Sequence, residues 1–253
     1  MESWFENYVL RFKSPDQKYT QNIEIKKDHT YRVCEEIISL GKSLHLNKQD
    51  LDLAKTIALL HDVGRFEQYE CYRTFSDFKS ENHAQLSIKV LNQENVLEGI
   101  EKNTAEIIHC SILNHNKASL VQNETGRCLF FSKLLRDADK LDVLYVVTDY
   151  YHNGKMHSNE SLELELPDDS YISDEVYNDL VSGKIVNHSN IRNLNDLKLL
   201  QMAWIYDVNF PHTFQLIQKR EYLEKIRDAL LQSDEAQNAY TTTKSYLDKK
   251  ITS

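Results

Sequence analysis

Ten histidines occur in this 253-residue chain, and five of them, His29, His61, His83, His109 and His115, fall at or near the ends of predicted helices in its first half. Imidazole nitrogens and carboxylate oxygens together make ligand sets for divalent ions such as Mn, Fe, Mg, Co, Ni or Zn. His61 is followed directly by Asp62, and residues 136–142 (RDADKLD) supply Asp137, Asp139 and Asp142. A histidine from an earlier segment, the His61-Asp62 pair and one of the later carboxylates would complete a four-ligand N and O set. One or two cations held in this way can lower the pKa of a water and ready it for attack. No Ser or Cys nucleophile is required.

Helices must position these groups. Within residues 31–44, Val33, Ile37, Ile38, Leu40 and Leu44 recur at three- and four-residue steps, which predicts a helix with His29 at its N-terminal end. Residues 50–60 repeat the pattern through Leu53, Ile57, Ala58 and Leu60, with Gly64 suited to a C-terminal cap. Adjacent helical side chains diverge by about 100°. His61 and Asp62 can therefore reach one ion only where the backbone leaves the helix, which Val63-Gly64 permits. Residues 65–81 are aromatic and charged without clean period and read as a long loop. Further helices are expected over 82–91, 104–114, 129–147, 174–182, 195–206, 213–231 and 236–249. Residues 150–172, with Gly154, Pro167 and the alternation LELEL, read as an irregular excursion or short strand pair. The expectation is an all-α fold: one domain over 1–253, with core motifs in about 20–150 and a helical extension in about 173–250. Any boundary belongs in the excursion.

Composition supports helix and narrows function. Six Gly and three Pro are too few for the tight turns of sandwiches and barrels. No apolar run approaches the roughly 20 residues of a membrane span. A net charge of -9 argues against long nucleic acids, whose binding needs clustered Lys and Arg. A small phosphorylated partner stays compatible, because a local cation can override the global sign. The four cysteines lack any CxxC pair, so reduced thiols and a cytoplasmic location are expected. The N-terminus lacks the basic-then-apolar order of an export signal. Oligomeric state is not legible.

The ordered set of His29, ALLHDVGR around His61-Asp62, and RDADKLD resembles the HD superfamily of metal-dependent phosphohydrolases. Periodicity does not choose among Asp137, Asp139 and Asp142; the resemblance implies Asp139, which precedes the basic residue of the motif. It further implies a helical bundle in which His29, His61, Asp62 and Asp139 hold a first metal. NHAQLSIKVL at His83 and EIIHCSILNHNK with His109 and His115 resemble the two-metal branch. There Asp62 would bridge, His83 and His115 would take the second ion, and His109 would be a further ligand or a supporting partner. His109 and His115 lie about 240° apart on an ideal helix, so both can serve only if the helix ends or bends near His115. Arg65 beside the His61-Asp62 pair, Arg73 in the following loop, Lys117 after His115 and Lys140 next to Asp139 are the cations expected to face phosphate, and Arg65 and Lys140 join His61 and Asp62 as the expected catalytic residues.

The implied reaction is hydrolysis of a phosphomonoester or phosphodiester of a nucleotide or small metabolite. Di-iron oxygenase chemistry on the same fold and a non-catalytic ligand-sensing module are the alternatives. His45, His152, His157, His188 and His212 read as ordinary core or surface residues and residues 202–214 as packing; Asp137 and Asp142, where they are not ligands, read as helix-surface acids or as partners that orient a ligand, the second role favoured for Asp137.

Overall fold

The computed structural model describes residues 1–120, 126–153 and 160–252. Among them every regular element is helical, and no helix is long and apolar enough to cross a membrane. The chain divides into two compact units, Met1–Asp142 and Val143–Ser253. The division lies inside a helix, upstream of residues 150–172.

The first unit contains α1 (Glu2–Val9), α2 (Gln17–Ser43), α3 (Lys48–Leu60), α4 (Gly64–Tyr72), α5 (His83–Gln93), α6 (Lys102–His115) and the start of α7 (Gly126–Asn153). Side-chain caps define the helix starts. Asp16 accepts from the Tyr19 N–H, Asn47 from the Asp50 N–H, Asn82 from the Gln85 N–H, and Glu101 from the N–H groups of Asn103 and Thr104. Each such cap is worth about 1 kcal/mol. The core is aliphatic, with Val33, Ile37, Leu40, Ile57, Leu60, Ile112, Leu134 and Leu141 fully buried.

Three expectations need correction here. The helix read as starting near residue 31 begins at Gln17, so His29 sits in its middle. Its first half buries Asn22, His29 and Thr30, and polar residues at buried positions erase the apolar period. Residues 65–81 are not one long loop, because α4 occupies most of the first half. Its buried face includes Gln68, and Phe66 is locked among Phe5, Tyr8 and Phe12 at ring separations of 5.9, 6.1 and 5.7 Å.

Gly64, finally, does not cap α3; it opens α4. A Cβ there would lie 2.3 Å from the Ser87 backbone N and 2.5 Å from the His83 carbonyl oxygen. Glycine is needed at this position because α4 and α5 meet backbone to backbone.

The second unit takes the rest of α7, then α8 (Glu160–Glu163), α9 (Asp174–Val181), α10 (Leu194–Ala203), α11 (Pro211–Lys219), α12 (Tyr222–Ala229) and α13 (Asp234–Thr252). The single helix expected over 213–231 is broken by Glu221, which is left-handed at φ 56°. Gly154 and the rest of 154–159 lie outside the described residues. The LELEL alternation forms no strand, since Leu164 and Glu165 take φ of 54° and 57°. Side chains tie this stretch down instead: Asn195 donates to the Asp169 carbonyl at 2.7 Å and Asn193 to the Tyr171 carbonyl at 3.2 Å.

The expectation of four reduced thiols is also corrected. Cys110 on α6 and Cys128 on α7 form a disulfide with Cα atoms 6.0 Å apart, a separation that suits the bond. Cys34 and Cys71 are free. The pairing joins residues 18 apart in sequence, a juxtaposition made by packing and invisible to spacing rules.

Candidate metal centre

The helices of the first unit deliver four imidazoles and two carboxylates to one point. α3 ends at Leu60 and α4 begins at Gly64, so His61 and Asp62 lie on a turn where their side chains can converge. α2 brings His29, the first residue of α5 is His83, the last residue of α6 is His115, and α7 brings Asp139. The centre is buried: His29, His61, Asp62, His83 and His115 are 7% exposed or less.

Each imidazole has its Nδ1 committed, so each Nε2 is free to face the centre. His29 Nδ1 lies 2.6 Å from Asp142 Oδ2 and His83 Nδ1 2.7 Å from Asp77 Oδ2. His61 Nδ1 lies 2.6 Å from the Ala58 carbonyl and His115 Nδ1 2.6 Å from the Ile112 carbonyl. Acceptors at every Nδ1 place the ring proton there and leave a lone pair on Nε2. This is the arrangement by which proteins orient histidine for a metal.

Asp62 faces two sets of histidines with its two oxygens. Oδ2 is 3.5 Å from His29 Nε2 and 3.8 Å from His61 Nε2; Oδ1 is 3.6 Å from His83 Nε2 and 3.7 Å from His115 Nε2. Asp139 Oδ1 lies 3.4 Å from His29 Nε2. Metal–ligand bonds of about 2.0–2.2 Å put neighbouring ligands roughly 3.0–3.6 Å apart, close to this spacing. Among the described residues two triads are tight enough to hold a cation, His29–His61–Asp139 and His61–Asp62–His115. His61 Nε2 and Asp62 Oδ1 are buried with no hydrogen-bond partner. Buried polar atoms are rarely left so, and a cation would satisfy both.

Electrostatics favour the ligating protonation states. Burial pushes the His61 imidazole down to about 4, and burial with the nearby Arg65 charge pushes His83 down to about 3. Burial alone would raise the carboxyl of Asp62, but Lys26, His61, His115 and Arg65 hold it well below its usual range. At Asp139 burial is likewise outweighed by His29, His61 and His115. Neutral imidazoles and ionised carboxylates are what a divalent cation needs.

Comparison with known protein families matches residues 27–154 to the HD domain, a span holding all six of these groups. The chain belongs to the HD domain family. Members are mostly metal-dependent hydrolases, and the adjacent His61-Asp62 pair lies inside the matched span. Neither curated proteins nor solved structures provide a match.

Around the His61-Asp62 pair, the other expected residues fall in different places. Asp139 and not Asp142 reaches the centre; Asp142 orients His29 while also bonded to Arg32 Nε and, at 3.2 Å, Arg32 Nη2. Asp137 is fully buried and outside both triads. His109 lies elsewhere: α6 does end at His115, but His115 is still helical, so His109 remains about 240° away from it. It joins neither triad, and its Nε2 is buried without a hydrogen-bond partner.

The cations divide as well. Arg65 borders the centre, with Nε 3.7 Å from Asp62 Oδ1 and Nη2 3.3 Å from His83 Nε2. Its Nη1 is fixed by Asp77 at 3.0 Å, Gln68 at 2.7 Å and the Phe75 carbonyl. Arg73 instead stacks 4.4 Å over Tyr19, and Lys117 is exposed. Lys140 follows Asp139 on α7, which turns it about 100° from the ligand.

Two functional positions, Asp77 and Lys26, escaped the sequence reading, and the orienting role of Asp142 was one of the readings open to it. Arg32 at i+3 from His29 and Asp142 at i+3 from Asp139 were the available signals, since each pair shares a helix face. Asp77 lies in a single turn of 3₁₀ helix, Asp77–Lys79, with no periodic signal.

Proposed function

We propose that this HD-family chain is a phosphohydrolase that cleaves a phosphomonoester or phosphodiester of a nucleotide or small phosphorylated metabolite with two divalent ions. The observation that carries the reading is the split environment of Asp62, one oxygen toward His29 and His61 and the other toward His83 and His115. One carboxylate that serves two histidine sets is suited to bridging. His29, His61 and Asp139 would complete a first site, and His83 and His115 a second. When bound, paired divalent ions lower the pKa of a water and neutralise charge developing at phosphorus.

The chain's own residues supply the remainder. Asp142 and Asp77 keep His29 and His83 in the ligating tautomer. Arg65, fixed by three acceptors, keeps positive charge at the rim, where an anionic substrate would be attracted. Burial excludes bulk water and strengthens these interactions. Mn, Fe, Mg, Co, Ni and Zn all suit the N and O set.

The test is elemental analysis of protein purified without chelator, followed by a screen of phosphate esters with each metal added back. His61→Gln and Asp62→Asn should each abolish hydrolysis and lower bound metal while helix content holds. Turnover retained in either variant would defeat the proposal.

A further inference from the structure

The sequence KKDH places two lysines just before His29, and the structure treats them differently. Lys27 Nζ is held by Glu6 at 2.8 Å. Lys26, three residues before His29 on α2 and so on the same face, turns toward the centre. Its Nζ lies 3.2 Å from Asp62 Oδ2, the oxygen that also faces His29 and His61. The same ammonium is 5.3 Å from the centroid of Phe75, whose ring is stacked on Tyr69 at 4.7 Å.

An ammonium donates and cannot ligate. It therefore competes with a cation for Asp62 Oδ2, and in a buried site the two positive charges repel strongly across a single oxygen. Arg65 is fixed by Asp77, Gln68 and the Phe75 carbonyl, whereas Lys26 has a flexible four-carbon stem and an aromatic face beside it that accepts a cation. An ion that takes Asp62 would thus release the Lys26 ammonium at the edge of the centre.

We propose that Lys26 is an ion-displaced phosphate contact: it neutralises Asp62 before the cation arrives and, once displaced, binds a phosphoryl oxygen of the substrate. The phosphate half of this inference rests on the phosphohydrolase reading; the displacement half does not.

The experiment uses the full chain with Lys26→Met, which keeps most of the length of the side chain without its charge, and Lys26→Arg, which keeps the charge. Each is titrated calorimetrically with Mn²⁺ and then, Mn-loaded, with inorganic phosphate. Lys26→Met should bind Mn²⁺ about tenfold more tightly, because a competing charge is gone, and phosphate about tenfold more weakly, because a charged contact is lost. Lys26→Arg should stay near the wild-type protein in Mn²⁺ affinity. Should Lys26→Met fail to fold by far-UV circular dichroism, Lys26→Gln carries the same expectations. Unchanged or weaker Mn²⁺ binding in the neutral variant overturns displacement, and unchanged phosphate binding overturns the contact. Wild-type protein that binds Mn²⁺ and phosphate but hydrolyses no ester would defeat the phosphohydrolase reading while leaving the displacement half intact.

Discussion

His83 and His115 approach each other Nε2 to Nε2 at 2.9 Å. With His83 Nδ1 donating to Asp77 and His115 Nδ1 donating to the Ile112 carbonyl, both facing nitrogens carry lone pairs. Two lone pairs at that distance repel unless positive charge lies between them. The fold holds the rings there regardless, α5 through the Asn82 cap and α6 through its C-terminal turn, so this pair is prepared for a cation.

Removing one ring of the pair should therefore cost one ion and spare the other. His115→Gln is expected to reduce bound Mn²⁺ from two per chain to one by inductively coupled plasma analysis, with the His29–His61–Asp139 site still loaded. Equal loss from both sites would show that the two triads do not act separately.

Asp77 should act through His83. Asp77→Asn keeps the shape but not the charge of the Nδ1 acceptor, and loss of such an orienting partner typically weakens metal affinity about 10–100-fold. Competition with a chromophoric chelator would read this as selective weakening of the second ion. An unchanged second affinity would mean that the Asp77 contact only anchors its loop.

Gly64→Ala should be among the most damaging single-methyl additions in the chain. The new Cβ would lie 2.3 Å from a backbone nitrogen of α5, which no rotamer change relieves. Overpacking costs about 1–3 kcal/mol and occasionally more, and backbone cannot yield as a side chain can, so the urea midpoint should fall sharply. Because α5 carries His83, protein that stays folded should also have lost affinity at the second site.

Ion-free protein should lose stability as pH falls from about 6.5 toward 4. The His61 and His83 imidazoles titrate in the folded chain near 4 and 3 but near 6.5 when unfolded. In that window the unfolded chain binds more protons, so stability declines on acidification, by on the order of 2 kcal/mol per pH unit for the two together. Asp62 and Asp139, held below their usual range, add their own loss only at lower pH. Urea titrations in chelator between pH 7 and 4.5 would measure the slope, and a flat profile would contradict the burial of these rings.

Thiol labelling separates the cysteines. Cys71 is exposed, whereas Cys34 is buried with its thiol pushed up to about 12 by that burial. Iodoacetamide at pH 8 should modify Cys71 alone in native protein, reach Cys34 after denaturation, and reach Cys110 and Cys128 only after reduction. Labelling of Cys110 without reductant would overturn the disulfide.

The all-α character was legible from the sequence because aliphatic residues at three- and four-residue steps report a buried helix face directly. The same local logic marked His61-Asp62 as a turn, since two adjacent residues can converge only where a helix ends. Where buried positions are polar the signal fails, and that is why the first half of α2 and all of α4 went unread. The place of His109 outside both triads, the pairing of Cys110 with Cys128 and the roles of Asp77 and Lys26 belong to the tertiary structure. Each depends on which side chain points at which between separate elements, and packing sets those directions. Sequence spacing constrains only neighbours on the same helix.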